Sequence, residues 1–153
     1  MRYALVRRPQ KRVIGIFVRT TNENGQIIQD TQQLWGRFLK EKIQEKIPNR
    51  VGGDIFALYT QYEEDYTKPY TYVLGCEVSS LDQIPKGMMG IEISPTPYAV
   101  FTARGAFPAS LGSTWQSIWE TPIERAYSVD FEIYPPTFHP ESNPEVKVFI
   151  AVK

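Results

Sequence analysis

This chain of 153 residues has one cysteine, one histidine and no net charge. With Cys76 alone no internal disulfide can form, and a reducing cytoplasm is the expected setting. His139 stands in a proline-rich stretch with no second histidine to join it, so no metal site is legible and no cofactor is indicated. Seventeen basic and 17 acidic residues cancel, which leaves no global field to draw in nucleic acid or an anionic membrane surface. No apolar run is long enough to span a bilayer. The opening MRYALVRRPQKR carries basic residues but lacks the apolar segment of a secretory signal. GMMG and VGGD lack the strand-to-helix context and the Lys-Ser/Thr of a phosphate loop, and no nucleophile elbow is present.

What the chain has in quantity is aromatic rings: nine Tyr, eight Phe and three Trp. Many fall in segments that read as strands, where rings pack well. RVIGIFVRT (12–20) is β-branched and apolar, and TNENGQ after it forms a turn. From Asp30 or Thr31, either able to cap, Leu34, Trp35, Phe38, Leu39, Ile43 and Ile47 follow helical spacing up to Pro48. DIFALYTQY (54–62) and YTYVLGCEV (70–78) read as strands. IEISPTPYAVFTARG (91–105) is strand again, with its prolines marking an edge or a break before Tyr98. A second helix is expected from Ser113 or Thr114, carrying Trp115, Ile118 and Trp119. VDFEIY (129–134) and EVKVFIAVK close the chain as strands. The order is strand-helix-strand-strand, twice. It predicts an α+β fold: one curved antiparallel sheet built from two like units, with both helices on one face.

In VDFEIY, alternation puts Val129, Phe131 and Ile133 on one side and Asp130, Glu132 and Tyr134 on the other. Superposing IFALY (55–59) on DFEIY (130–134) matches Phe56 with Phe131, Leu58 with Ile133 and Tyr59 with Tyr134. The Phe/Leu and Phe/Ile pairs are expected to face the helices. Ala57, Tyr59, Glu132 and Tyr134 then converge on a groove between the halves, with room opposite the carboxylate over Ala57. Trp115, Trp119, Phe107, Tyr72 and Phe149 are the further candidates for its walls, Phe149 because it lies opposite the valine face of the last strand. Tyr70 and Tyr98 stand behind them.

The segments VIGIFVRTTNENG, IFALYTQYEEDYTKPYTYVLGCEVSSLDQIPKGM, PYAVFTARG, the Trp115–Trp119 helix, DFEIY and VFIAVK occur in the order seen in the effector-binding domain of bacterial transcription activators. The chain resembles that family, also called gyrase-inhibitory-protein-like, from end to end. The resemblance implies the duplicated fold and a hydrophobic, aromatic cleft with a buried acidic residue, here Glu132. In several members that cleft takes lipophilic organic cations. Many members carry a helix-turn-helix segment; this chain reaches its first strand almost at once, so residues 1–153 are expected to be one stand-alone effector-binding domain without a DNA-binding part.

The physical reading agrees. A carboxylate drawn into an apolar pocket loses solvation, and an incoming cation restores the balance. The leading expectation is a non-enzymatic binding module for a small organic cation, alone or beside a separate transcription regulator. Two alternatives use the same residues or fold: a hydrolase of strained electrophiles with Glu132 as general base, and an inhibitor that docks on a topoisomerase.

Overall fold

In the computed structural model, which describes residues 2–153, eight strands form a single antiparallel sheet. They are β1 (Ala4–Arg8), β2 (Lys11–Thr20), β3 (Ile55–Thr60), β4 (Tyr70–Val78), β5 (Met89–Ile93), β6 (Thr96–Ala103), β7 (Val129–Tyr134) and β8 (Val146–Ala151). Three helices accompany them: α1 (Gln26–Lys40), the one-turn α2 (Ile43–Lys46) and α3 (Ala109–Glu120). The α+β class and the two strand-helix-strand-strand units, β2-α1-β3-β4 and β6-α3-β7-β8, are those expected from the sequence.

The order across the sheet is β1-β6-β8-β7-β3-β4-β2-β5. It reads the same from both ends if the halves are exchanged, with a pseudo-twofold between β7 and β3. Ala57 lies directly opposite Glu132 across that central pair, and Tyr59 opposite Asp130. The strand missing from the sequence reading, β1, explains the curvature. Only Pro9 and Gln10 separate β1 from β2, yet the two strands lie near opposite edges of the sheet. A link of that length spans at most about 11 Å, so the sheet curls until its edges approach. Ser94 and Pro95 make the matching link between β5 and β6. Each unit therefore lends its leading strand to the other: β1 pairs with β6, and β5 with β2.

The curl decides which face the helices cover, and it reverses one expectation. Phe56, Leu58, Phe131 and Ile133 do not face the helices; they line the inside of the curled sheet with Val13, Val73, Ile93, Tyr98 and Phe149. Arg8 closes this core, its guanidinium carbon 4.8 Å from the centre of the Phe149 ring. That side is sealed by the sheet itself, so the helices take the other one. Leu34 and Phe38 of α1 and Ile43 of α2 pack with Ala57, Tyr72, Leu74 and Tyr134. Ile118 of α3 packs on Phe101, Val148 and Ile150.

Both long helices begin earlier than their expected caps. Gly25 adopts a left-handed backbone (φ 69°) that turns the chain into α1 at Gln26. Asp30 then sits inside the helix and accepts a bond from Gln26. Pro108, which has no N–H to lose, precedes Ala109 at the start of α3. Thr114 lies a turn further in and bonds back to the Ser110 carbonyl at 2.8 Å. At the far end of α1 a left-handed Lys42 breaks the helix and redirects Ile43 and Ile47 into the core.

Candidate ligand site

Glu132 stands at the centre of the sheet on the helix-covered face and is 1% exposed. Three neutral donors surround its carboxylate. The Tyr59 hydroxyl donates to Oε2 at 2.7 Å, the Trp115 indole N–H to the same oxygen at 2.7 Å, and the Tyr134 hydroxyl to Oε1 at 2.7 Å. Among the described residues no lysine or arginine pairs with it. Tyr134 comes from its own strand, two residues on; Tyr59 comes from β3 across the pseudo-twofold; Trp115 reaches down from α3. Each half of the molecule thus supplies part of the shell.

Burial raises the Glu132 pKa above the ordinary glutamate value, and the bonds from Tyr134, Tyr59 and Trp115 offset only part of that rise. Burial likewise drives the Tyr59, Tyr72 and Tyr134 hydroxyls well above their usual range, with the Glu132 charge adding to the effect. These tyrosines therefore stay protonated, and Tyr59 and Tyr134 serve as donors to Glu132. The result is a carboxylate solvated by protein hydroxyls and an indole, with no positive charge to neutralise it.

A second layer of rings encloses the first. Tyr72 stands opposite Tyr59 in the β3–β4 ladder, which fixes its position on the cleft side. Its hydroxyl accepts a bond from the Trp35 indole at 3.0 Å. Ring centres lie 4.7 Å apart for Tyr59–Trp115, 5.2 Å for Tyr59–Tyr72 and 4.9 Å for Trp35–Tyr134. Phe107 lies at the rim, edge-on to Tyr134 and to Phe138.

The structure thus brings Glu132, Tyr59, Tyr134, Trp115, Tyr72 and Phe107 together. Phe149 is a correction. It pairs with Phe131, not with Glu132, so it points into the curled core on the opposite face; the residue beside Glu132 is Val148. Tyr98 joins Phe149 there. Trp119 is also displaced, one turn along α3 from Trp115; it is 38% exposed and stacks on Tyr66, not on the Glu132 shell. The room expected over Ala57 is closed as well: Ala57 is fully buried in the core that Leu34, Phe38 and Trp35 of α1 pack against. Two surface hollows, of about 520 and 470 Å³, flank α3, the first between it and Thr102 of β6, the second beside its C-terminal end near Tyr3. Trp35 and Phe138 also belong to this enclosure; helical spacing puts Trp35 on the buried face of α1 but carries no sign that its indole reaches Tyr72.

The match to known proteins is continuous. Residues 4–152 fit the Cass2 family model, described as integron-associated effector binding protein. The chain belongs to this family. An integron cassette protein from the mobile metagenome of Vibrio cholerae is 27% identical, with 99% of this chain and 95% of that one aligned at a TM-score of 0.75. The transcriptional regulator BrlR of Pseudomonas aeruginosa is 31% identical over 123 residues, which span 76% of this chain but only 43% of BrlR. SAV2435, solved bound to tetraphenylphosphonium, shares the fold: 20% identity, TM-score 0.81, 100% of this chain and 94% of that one aligned. No helix among the described residues is long and apolar enough to cross a membrane.

Proposed function

We propose that this family member binds lipophilic, aromatic organic cations at Glu132, as a non-catalytic effector- or drug-binding module. One observation carries the reading: a fully buried carboxylate whose shell holds three donors and no counter-charge. Protein hydroxyls keep such a group folded, but they leave its charge uncompensated in a medium of low dielectric constant. A cation placed among Tyr59, Tyr72, Trp115 and Tyr134 supplies that charge, and each ring face adds about 0.5–2 kcal/mol of cation–π attraction. Flat or bulky aromatic substituents suit the site because they replace the ring–ring contacts that close it. The shared fold of SAV2435, which holds tetraphenylphosphonium, supports the same chemistry.

Entry requires the rings to part. Trp115 and Trp35 sit on helices while Tyr59, Tyr72 and Tyr134 sit on the sheet, so the cleft opens by movement of helix-borne indoles away from a fixed floor. The module fits a cytoplasmic setting, consistent with the unpaired, buried Cys76, and a separate transcription regulator is the natural recipient of its ligand-bound state. Titration with tetraphenylphosphonium, followed by quenching of Trp115 and Trp35 fluorescence, is expected to saturate at one cation per chain. Triphenylphosphine oxide, with similar rings and no net charge, is expected to bind at least about tenfold more weakly. Equal affinities would remove the role of charge. Steady turnover of strained electrophiles by the protein would instead favour the hydrolase alternative.

A further inference from the structure

Two residues before Glu132, on the same side of β7, stands a second buried carboxylate. Asp130 is 0% exposed. One of its oxygens accepts the Ala151 N–H at 2.8 Å. The other accepts the Tyr62 hydroxyl and the Arg125 Nη2–H, the latter at 2.8 Å. The Arg125 guanidinium carbon lies 4.4 Å from the centre of the Tyr127 ring and about 6 Å from those of Tyr62 and Tyr66. The parts are those of the Glu132 site: a buried acid, a tyrosine hydroxyl donor and aromatic walls. Here a cation is already in place, and it belongs to the chain.

The two sites are joined. Tyr59 donates its hydroxyl to Glu132 while its backbone lies opposite Asp130. The Tyr70 ring bridges onward, 5.8 Å from Tyr59 and 5.6 Å from Tyr62. Alternate residues of a strand place the two carboxylates about 7 Å apart along it, the reach of a short alkyl arm. Arg125 also differs from a fully satisfied structural ion pair. It is 7% exposed, and its Nε and Nη1 find no partner among the described residues. A guanidinium has five N–H donors, and among the described residues Nη2 alone meets acceptors here, Asp130 and, at 3.5 Å, the Tyr62 hydroxyl. It is held at one end by the charged bond to Asp130 and around it by ring faces, as a bound guest would be.

We infer that Arg125 is a built-in occupant of a second cation cage at Asp130, and that by filling it Arg125 sets the charge of the ligand: one positive charge is accepted, and dications are not favoured. The inference rests on the reading of Glu132 as the open cation site. Ethidium and propidium test it, because they share a ring system and propidium adds a second quaternary ammonium on a short arm. The native protein is expected to bind propidium no more than about threefold more tightly than ethidium. Arg125→Ala is expected to tighten propidium at least about tenfold while ethidium changes less than about threefold. Adding Asp130→Asn should abolish the gain. Millimolar methylguanidinium should refill the emptied cage, raising the melting temperature of Arg125→Ala and cancelling the propidium gain but not ethidium binding. Arg125→Gln, whose amide still donates to Asp130, takes the same measurements if the alanine protein does not fold. A native preference for propidium of tenfold or more would overturn the inference. So would Arg125 variants that neither gain propidium nor respond to methylguanidinium, since Arg125 would then only brace the loop. Native protein that binds neither dye, beside an Arg125→Ala protein still stabilised by methylguanidinium, would overturn the Glu132 reading and the charge rule with it.

Discussion

Glu132 has a pH signature because burial and hydrogen bonding pull its proton in opposite directions, and burial prevails. The folded carboxyl keeps its proton at pH values where the unfolded one has lost it. Its contribution to stability is therefore full below the ordinary glutamate range and is lost as pH rises through the raised folded value. The ligand-free protein is expected to lose thermal stability across that window, and Glu132→Gln to flatten the loss; melting curves at stepped pH measure both. A bound cation favours the ionised form, so affinity should rise with pH over the same window, level off above it and be accompanied by proton release. Calorimetry in buffers of different ionisation enthalpy reads that release directly. Trp115→Phe removes one donor but keeps a ring. It should weaken binding modestly and reduce the ligand-dependent quench to what Trp35 contributes, because the exposed Trp119 is stacked on Tyr66 and away from Glu132.

The elements hold the site through one close approach of backbone and through the packing beneath α3. Gly15 of β2 lies opposite Gly75 of β4. A Cβ added to Gly75 would come 1.9 Å from the Ile14 carbonyl oxygen, and one added to Gly15 2.3 Å from that of Leu74. Backbone cannot yield as a flexible side chain can, so Gly75→Ala is expected to cost about 3 kcal/mol or more by forcing the two strands apart, measured by urea unfolding. Ile118→Ala, beneath α3, should cost about 2–5 kcal/mol through the cavity it leaves. Strands of this kind were legible in the sequence: β4 and β7 have the bounds expected from their composition, because β-branched and aromatic runs flanked by turn residues define them sharply. Helix starts were less so. Asp30 and Ser113 have the chemistry of caps, yet the left-handed Gly25 and the Pro108 entry begin each helix about a turn earlier. The five-residue β1 was hidden in a basic opening whose pairing partner, β6, lies some ninety positions away.

At the scale of the whole molecule, the face that each ring chooses followed from the curl, which no local pattern encodes. Alternation correctly grouped Glu132 with Tyr134, Tyr59 and Ala57. It could not tell which group the helices would cover, and so it placed Phe149 in the cleft, whereas its pairing with Phe131 sends it into the curled core. The exchange of β1 and β5 between the halves also has a consequence for folding. A fragment of residues 1–82 lacks β5 beside β2, and one of 83–153 lacks β1 beside β6. Each half is expected to be largely unfolded alone, and the two together to recover strand signal and cation binding when mixed, followed by circular dichroism. Independent folding of either half would show that the exchanged strands are dispensable.

The central claim is that one uncompensated buried charge makes the site. Tetraphenylphosphonium titrated into native protein and into Glu132→Gln at equal pH tests it most directly. The account predicts saturable binding to the first, and at least about a tenfold loss in the second, which corresponds to about 1.4 kcal/mol, with the melting temperature of the ligand-free variant unchanged or higher at neutral pH. Undiminished affinity in Glu132→Gln would contradict it.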